Sequence, residues 1–292
     1  FTNLSHDHID YHKTFQNYFE TKKKFFTEHL KPGAIIAINL DDEFGFKIFQ
    51  EIKNKPFCFV NYGRHKYANL RIIEAIQLEK FWQLKIKYND TIIETNLGML
   101  GEFQIYNALA AAAVCIGLNM NFNFVLKSLA YMKNIPGRMQ ILNGHPNNAL
   151  VIIDYAHTPD ALQKAISSIK LHLRGKLYTL FGCGGERDFE KRELMGMISK
   201  LNSNFTIITD DNPRKENPKK IRDQILKGCP SAIEVAGRDN AIKKAVSLLK
   251  QNDVLLIAGK GHETSQTIGT ESLPFDDFSV AKLAIENLKN GI

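Results

Sequence analysis

From residue 149 onward, strand-like and helix-like segments alternate five times, and this alternation constrains the fold more than any other feature of the sequence. The apolar runs that predict strands cover residues 149–154, 176–181, 205–209, 232–235 and 253–258. Segments with helical spacing follow near residues 159–173, 190–201, 218–228, 240–251 and 277–288. The pattern predicts an α/β domain with a Rossmann-like, doubly wound, mostly parallel sheet. Functional residues of such a sheet are expected in loops at the carboxyl ends of its strands.

The first 136 residues have a different organisation. Residues 1–30 have helical spacing, and residues 102–117 and 122–132 predict two further helices. Residues 34–39 predict a short apolar strand, and the further strand-like runs at 58–62, 81–88 and 91–96 lie close together, which predicts a mixed or antiparallel sheet. Pro136-Gly137 predicts a hinge, so we divide the chain into domains at 1–136 and 137–292.

Composition excludes several classes of protein. With 44% hydrophobic and 24% charged residues, the chain is globular rather than disordered. Its longest apolar run, residues 108–118, is too short to span a bilayer, and its start lacks the basic and apolar regions of a signal peptide. The four cysteines form no C-x-x-C pair, so we expect a cytoplasmic protein without a zinc site or disulfides. The opening Phe1-Thr2-Asn3-Leu4 is typical of mid-domain sequence, so we expect the natural protein to continue upstream.

The net charge of +7 does not predict a nucleic-acid partner. The lysines are dispersed along the chain, and no basic stripe interleaved with aromatic residues is present in the sequence. A dispersed positive field is typical of a well-solvated surface and also suits an anionic, phosphate-rich small substrate.

Four polar loops follow predicted strands of the C-terminal domain. They are 154–160 (DYAHTPD), 182–188 (GCGGERD), 210–216 (DDNPRKE) and 259–263 (GKGHE). Thr158 and Pro159 predict an ordinary helix start in the first loop. Arg214 in the third loop could hold a carboxylate through two parallel hydrogen bonds, and Glu263 in the fourth could pair with an ammonium group.

The glycine-rich loop at 182–185 leaves a nicotinamide-binding enzyme as an alternative interpretation. Glycines after a strand allow a phosphate or nucleotide to approach the backbone. The loop lacks the third glycine of G-x-G-x-x-G, so this alternative is weak.

Taken together and in order, these motifs resemble the diaminopimelate-adding branch (MurE) of the Mur ligase family. The resemblance covers the whole chain. The matching segments are TNLSHDHIDYH at 2–12, GRM at 137–139, DYAHTPDAL at 154–162, FGCGGERDFEKR at 181–192, DNPR at 211–214 and GKGHE at 259–263.

The resemblance implies an ATP-dependent peptide-forming ligase of peptidoglycan synthesis. Such an enzyme phosphorylates the carboxylate of a UDP-muramoyl dipeptide with ATP and Mg²⁺, and the amine of meso-diaminopimelate then displaces phosphate. It implies a cytoplasmic monomer with no membrane or nucleic-acid partner, acting in cell-wall growth, cell shape and cell division. It further implies that His8 binds magnesium and that Lys22 is carbamylated and binds magnesium through the carbamate.

The resemblance also assigns two sets of binding residues. Those for the nucleotide are Asn107, Arg138, Asp154 and His157. Those for the amino acid are Arg187, Asp211, Asn212, Arg214, Gly259 and Glu263. Since lysine lacks the distal carboxylate that Arg214 and Asn212 would hold, the sequence predicts diaminopimelate rather than lysine as substrate.

The chain departs from the family pattern in three places. Gln104 stands where an Asn of F-N-x-x-N contacts the nucleotide, and His6 stands where an Arg is common. The glycine-rich phosphate loop ending in Gly-Lys-Thr does not occur in the 292 residues, so we expect the activity of the longer parent protein and not of this chain alone. A non-catalytic, binding-only remnant and the lysine-adding relative therefore stay open as alternatives.

Overall fold

The computed structural model describes residues 1–5, 9–78, 81–171 and 173–291. The chain forms two compact units, Phe1–Lys133 and Asn134–Ile292. The predicted hinge at Pro136-Gly137 lies just inside the second unit and stays a prediction. In the described part of the chain, no helix has both the length and the apolar character needed to cross a bilayer.

The first unit combines short parallel strands, an antiparallel meander and helices. Its strands are β1 (Ile35–Ile36), β2 (Cys58–Phe59), β3 (Tyr62–Gly63), β4 (Leu70–Gln77), β5 (Trp82–Tyr88) and β6 (Thr91–Leu97). Its helices are α1 (Ile9–His12), α2 (Phe15–Lys24), α3 (Glu43–Ile52), α4 (Phe103–Gly117) and α5 (Phe122–Ser128). A π-helical turn, Phe25–His29, extends α2, and a 3₁₀ turn, Leu129–Tyr131, extends α5.

The predicted β-rich section is a four-stranded sheet in the order β3-β4-β5-β6. The β3–β4 pair is parallel, and β4, β5 and β6 form an antiparallel meander. Leu84 and Ile86 of β5 alternate inward and pack with Ile105 and Leu109 of α4 in one core. On the other face of the sheet, Lys85 pairs with Glu74 and Glu94 on the neighbouring strands, and Ile76 and Ile92 are exposed.

Two elements of this unit, strand β4 and helix α3, were not predicted from the sequence. The register of β4 shifts between Ile72 and Glu74, so the alternation that marks a half-buried strand is interrupted there. Helix α3 begins at Asp42, whose carboxylate accepts the backbone N–H groups of Phe44 and Gly45 at 3.0 and 2.9 Å. The sequence analysis predicted no helix at this position, and the predicted strand at 58–62 is split into β2 and β3.

The second unit contains the predicted strand–helix alternation. Its strands are β7 (Gln140–Leu142), β8 (Leu150–Asp154), β9 (Leu177–Phe181), β10 (Phe205–Ile208), β11 (Ile233–Glu234), β12 (Val254–Ala258), β13 (Ser265–Ile268) and β14 (Glu271–Pro274). Its helices are α6 (Pro159–Lys170), α7 (Glu190–Asn202), α8 (Pro218–Gly228), α9 (Arg238–Leu248) and α10 (Asp277–Asn290). The predicted helix start is confirmed, because Thr158 caps α6 and Pro159 is its first residue.

The sheet of this unit has the order β11-β10-β9-β12-β8-β7 and is parallel except for the edge strand β7. Helices α6, α7 and α8 pack side by side, and α9 packs on α10. Helices α9 and α10 cover the face that carries Val151, Leu180 and Ile257. Since β9 and β12 are buried along their whole lengths, α6–α8 cover the opposite face. The predicted doubly wound fold is confirmed; β7 and the β13–β14 hairpin were not predicted.

A fully buried ion pair joins the two helices that cover one face of this sheet. Arg238, the first residue of α9, donates two hydrogen bonds of 2.7 Å to the carboxylate of Asp277 in α10. It also donates to the carbonyl of Ala258, the last residue of β12, at 2.9 Å. Both charged side chains are completely shielded from solvent. The pair therefore fixes two helices to the carboxyl end of the central strand.

Replacing Asp277 by alanine should destabilise the chain by about 3–5 kcal/mol, because it leaves the Arg238 guanidinium buried without a counter-charge. The matched control is Asp239→Ala, which removes an exposed pair with Lys243 in the same helix and should cost about 0.5 kcal/mol or less. Urea unfolding followed by circular dichroism measures both. Equal losses in the two variants would contradict the role given to the buried pair.

Candidate functional site

The polar loops meet at one edge of the C-terminal sheet. Strands β10, β9, β12 and β8 are adjacent and parallel, so their carboxyl ends, and the four loops that follow them, lie at the same edge. From β8 through β9 and β10 to β11, the chain moves in one direction across the sheet. It then returns to place β12 between β8 and β9, so the direction of winding reverses at β12. Ligands of open α/β sheets bind at such a reversal.

The centre of this edge is a hydrogen-bonded cluster of Asn212, Lys260 and Glu263. The Lys260 ammonium is fully buried and donates to Asn212 Oδ1 at 3.0 Å and to Glu263 Oε2 at 2.8 Å. Asn212 Nδ2 donates to the same Glu263 oxygen at 3.0 Å. The cluster thus joins the loop after β10 to the loop after β12.

The Glu263 carboxyl group is held in its ionised form. Burial by itself raises the pKa of Glu263, but the ion pair with Lys260 and the hydrogen bond from Asn212 outweigh burial and lower this pKa below its ordinary value. Its side chain is 32% exposed, so a ligand can still reach it. The group can therefore offer a negative charge to a cationic ligand at neutral pH.

Arg214 is held between the glycine-rich loop and the β13–β14 hairpin. Its backbone has φ = 51°, a left-handed conformation that few non-glycine residues adopt. The hairpin supports this conformation, since Arg214 N–H donates to the Thr267 carbonyl at 3.1 Å and the Arg214 carbonyl accepts from Gly269 at 2.7 Å. The guanidinium donates to the Gly185 carbonyl at 2.8 Å.

Arg214 and Glu263 are therefore brought to the same edge of the sheet and share neighbours. Thr267 N–H donates to Asn212 Oδ1 at 2.9 Å, and Asn212 contacts Glu263 directly. Among the ion pairs of the described residues, none joins the Arg214 guanidinium to a carboxylate. Its charge and remaining N–H groups are thus left for an anionic ligand.

Close packing against the loop after β10 requires glycine at 185, and glycine at 184 leaves room for the Arg214 guanidinium. A Cβ on Gly185 would lie 2.0 Å from the Pro213 carbonyl oxygen, and one on Gly184 would lie 3.0 Å from the Arg214 guanidinium. Arg187 in the same loop is exposed, with its Cγ 3.7 Å from that Gly184 position. The glycines therefore bring the backbone of this loop against Arg214.

An ion pair between Arg192 and Glu216, which the sequence analysis did not predict, holds the glycine-rich loop in place. Arg192 in α7 is 1% exposed and donates to both carboxylate oxygens of Glu216 at 2.6 and 2.8 Å. It also donates to the Gly184 carbonyl at 3.0 Å. The hydrogen bond from Arg192 is the main cause that lowers the pKa of Glu216 to about 2. Arg192 lies in the matched segment 181–192, but nothing in its spacing predicts a partner 24 residues away.

Asp211 and Gly259 lie against each other beside this cluster. A Cβ on Gly259 would lie 2.8 Å from Asp211 Oδ2, and Gly259 has φ = 115°, so both space and backbone require glycine there. The Gly259 N–H donates to the Asp154 carbonyl at 3.1 Å, which connects this corner to the end of β8.

A second group of predicted residues surrounds Tyr155. The Asp154 carboxylate accepts the backbone N–H groups of Met139 and Ala156, both at 2.8 Å. Burial raises the pKa of Asp154, and these two hydrogen bonds partly offset the effect. The Arg138 guanidinium stacks 4.4 Å from the Tyr155 ring, and the His157 ring lies 4.6 Å from it. Each Asp154 oxygen keeps a lone pair for a further donor.

Gly137 and Gly261 allow this group to form. A Cβ on Gly137 would lie 2.2 Å from the His262 backbone nitrogen, and one on Gly261 would lie 2.8 Å from the Gly137 carbonyl. The segment that carries Arg138 is therefore packed backbone to backbone against the loop after β12.

The remaining predicted residues belong to the first unit. Asn107 is exposed on α4 and donates from Nδ2 to Gln104 Oε1 at 3.1 Å. Gln104 is 1% exposed, so the residue that departs from the family pattern holds the neighbouring amide in place. Lys22 is half-buried on α2, with its ammonium 5.1 Å from the Tyr18 ring. His6 and His8 lie outside the described residues.

Fold and site together define a class of protein: a doubly wound α/β domain that presents a guanidinium and a partly exposed glutamate, paired with a buried lysine, at its winding reversal. Two family models match the chain, the Mur ligase middle domain over residues 1–115 and the Mur ligase glutamate ligase domain over residues 137–261. The chain belongs to the Mur ligase family.

Among its relatives, the UDP-N-acetylmuramoyl-L-alanyl-D-glutamate–2,6-diaminopimelate ligase of Rickettsia prowazekii (strain Madrid E) is 42% identical over 287 residues, covering 97% of this chain. A solved structure of a ligase with that name is 30% identical, with a TM-score of 0.61 and coverage of 99% of this chain and 60% of that one. MurF ligase from Thermotoga maritima in complex with ADP, at 18% identity and a TM-score of 0.68, shares the fold over 99% of this chain and 62% of its own. The chain spans 58% of the length of the Rickettsia relative.

Gly137→Ala should destabilise the C-terminal unit by about 1–3 kcal/mol more than Gly269→Ala, since an added Cβ meets backbone that cannot move aside. The two glycines have nearly equal φ of 65° and 61°, but a Cβ on Gly269 meets no atom within 4 Å. The pair of variants thus separates close packing from backbone strain. Urea unfolding measures the difference, and equal stability losses would contradict the Gly137 contact.

The contribution of Glu216 to the stability of the fold should decrease as the pH falls. Its folded pKa of about 2 lies below its ordinary value of 4.5, so its contribution is complete above about pH 4.5 and is lost as pH falls toward 2. The difference in Tm between the unaltered chain and Glu216→Gln should therefore be largest near pH 6 and shrink toward pH 3. Glu286→Gln, in an exposed pair with Lys282, is the control and should show a small difference at every pH. A Glu216→Gln difference that stays constant or grows on acidification would contradict the assignment.

Proposed function

We propose that this chain carries the amino-acid-binding part of an ATP-dependent ligase that adds meso-diaminopimelate to UDP-N-acetylmuramoyl-L-alanyl-D-glutamate. The support from relatives is that proteins up to 42% identical to this chain are named as ligases of this activity. The support from the structure is the joining of Arg214, Asn212 and Glu263 at the carboxyl ends of β10 and β12.

The amino-acid pocket follows from the charges of this cluster. One end of diaminopimelate carries a carboxylate and an ammonium on the same carbon. Arg214 and the free Asn212 N–H suit the carboxylate, and Glu263 suits the ammonium. Arg187, Asp211 and the Gly259 carbonyl complete the proposed pocket. Lysine has no distal carboxylate, so it would leave the Arg214 guanidinium without a partner.

The reaction itself needs activation of the dipeptide carboxylate. Its oxygen attacks the γ-phosphorus of ATP, ADP leaves, and the resulting acyl phosphate is attacked by the amine, which loses a proton as phosphate departs. In such a reaction the protein contributes mainly positioning and neutralisation of charge. The pocket at β10 and β12 would hold the far end of the amino acid, leaving its other amine free to react.

Asn107, Arg138, Asp154 and His157 are proposed to bind the nucleotide. Asp154 keeps acceptor capacity toward a ribose hydroxyl, and the Arg138 guanidinium can reach an anionic phosphate from its place on the Tyr155 ring. The solved structure of Thermotoga maritima MurF ligase contains ADP, which supports the binding of a nucleotide by a protein with this fold.

Magnesium would be held by His8 and a carbamate on Lys22. Lys23 pairs with Glu20 and Glu51, whereas no ion pair of the described residues engages Lys22. A carbamate forms when the neutral amine attacks carbon dioxide and loses a proton, which turns the lysine into an oxygen ligand of the type that magnesium prefers. When bound, magnesium neutralises phosphate charge. We further propose a monomeric, cytoplasmic protein that contributes to cell-wall growth, cell shape and cell division.

Calorimetric titration of meso-diaminopimelate into the 292-residue chain tests the pocket. Arg214→Met should weaken binding about 10- to 100-fold, because hydrogen bonds between charged groups are lost. Lys215→Met, which removes the exposed neighbouring charge, is the matched control and should leave the affinity within about twofold. Equal affinities for Arg214→Met and the unaltered chain, or tighter binding of lysine than of diaminopimelate, would exclude the proposed substrate.

A further inference from the structure

Lys260 has a role in this site that its burial and partners reveal. Its ammonium is 0% exposed and is shared between Asn212 Oδ1 and Glu263 Oε2, at 3.0 and 2.8 Å. A lysine without any access to solvent cannot serve as a ligand-contacting surface cation. It acts on a ligand through the groups to which it donates.

The first effect of Lys260 is to fix the polarity of the Asn212 amide. Oδ1 accepts from two donors, the Lys260 ammonium and the Thr267 backbone N–H. Nδ2 must then be the atom that faces Glu263, to which it donates at 3.0 Å. Of the two N–H groups on Nδ2, one is left for a ligand acceptor such as a carboxylate.

The second effect concerns the charge of Glu263. Its Oε2 accepts from both Lys260 and Asn212, and no donor from the described part of the chain reaches Oε1. The negative charge that Glu263 presents to a ligand ammonium is thus already partly neutralised by Lys260. Arg214, in contrast, donates to a carbonyl and has no carboxylate counter-charge in the ion pairs described above. The three charged side chains Arg214, Lys260 and Glu263 taken together therefore carry a net positive charge.

We propose that Lys260 is a specificity-determining positioning residue that makes the site select a zwitterionic amino-acid end over a bare ammonium. A bare ammonium would meet a carboxylate whose charge Lys260 already partly neutralises, and the Arg214 guanidinium would repel it. A zwitterionic end satisfies Glu263 with its ammonium and Arg214 and Asn212 with its carboxylate. Without the Lys260 charge, Glu263 would attract any ammonium strongly, and the discrimination would fall. This inference rests on the proposed function of the same site.

The test compares two probes, meso-diaminopimelate and 1,5-diaminopentane, which is the same molecule without its two carboxylates. The ratio of their Kd values is measured by calorimetry on the full 292-residue chain and on Lys260→Gln, which keeps a hydrogen-bond donor and removes the charge. We expect the preference for diaminopimelate to fall roughly tenfold in Lys260→Gln. Lys243→Gln, which removes an exposed lysine of the same unit, should leave the ratio unchanged. A ratio in Lys260→Gln equal to that of the unaltered chain overturns the proposal.

A second variant keeps the test decisive if Lys260→Gln does not fold. Glu263→Gln alters a partly exposed side chain and leaves the Lys260 charge uncompensated. Both probes should bind more weakly, the diamine by the larger factor, so the preference for diaminopimelate should rise; an unchanged or smaller preference overturns the proposal. If the unaltered chain shows no preference at all, the proposed substrate is wrong. If the unaltered chain prefers diaminopimelate, and the ratio of the two Kd values is the same in the Lys260 and Glu263 variants, only the role proposed for Lys260 is wrong.

Discussion

The return of β12 to a place between β8 and β9 is the constraint on which the site depends. Three crossovers carry the chain from β8 through β9 to β11, and the fourth brings it back to the centre of the sheet. Without that return, the loop containing Lys260 and Glu263 would follow an edge strand, away from the loops that follow β8 and β9. The core that α9 and α10 bury against the sheet fixes β12 in the centre.

Buried arginines fix the positions of helices and loops within this topology through directional hydrogen bonds. Arg192 links α7 to the Glu216 loop, Arg222 links α8 to Asp210, and Arg238 links α9 to Asp277 and the end of β12. Each guanidinium joins segments that are distant in sequence, and each is almost completely shielded from solvent. Such pairs add little net stability compared with well-packed apolar residues, but their directional hydrogen bonds define where loops lie. Arg214 and Glu263, the residues proposed to bind the amino acid, thus lie in loops that these buried arginines hold in place.

Much of this organisation could be predicted from the sequence. The alternation after residue 149 predicted the doubly wound sheet because parallel strands buried on both faces are continuous apolar runs. Strand β4 was missed because its register shifts at Ile72, and the β13–β14 hairpin because its strands are short and largely exposed. The sequence also pointed to Arg214 and Glu263 but not to the burial of Lys260, because burial depends on neighbours that only the folded chain brings together. The positions of His6 and His8 lie outside the described residues, so their predicted roles stay predictions.

The proline that follows Asn212 has a chemical consequence for the lifetime of the site. Asparagine side chains deamidate with age when the backbone nitrogen of the next residue attacks the amide and closes a succinimide ring. Asn143-Gly144 and Asn290-Gly291 have the sequence that favours this reaction, whereas Pro213 has no N–H with which to carry it out. The amide whose orientation organises the pocket is therefore protected from conversion to an aspartate, which would place a second negative charge beside Glu263.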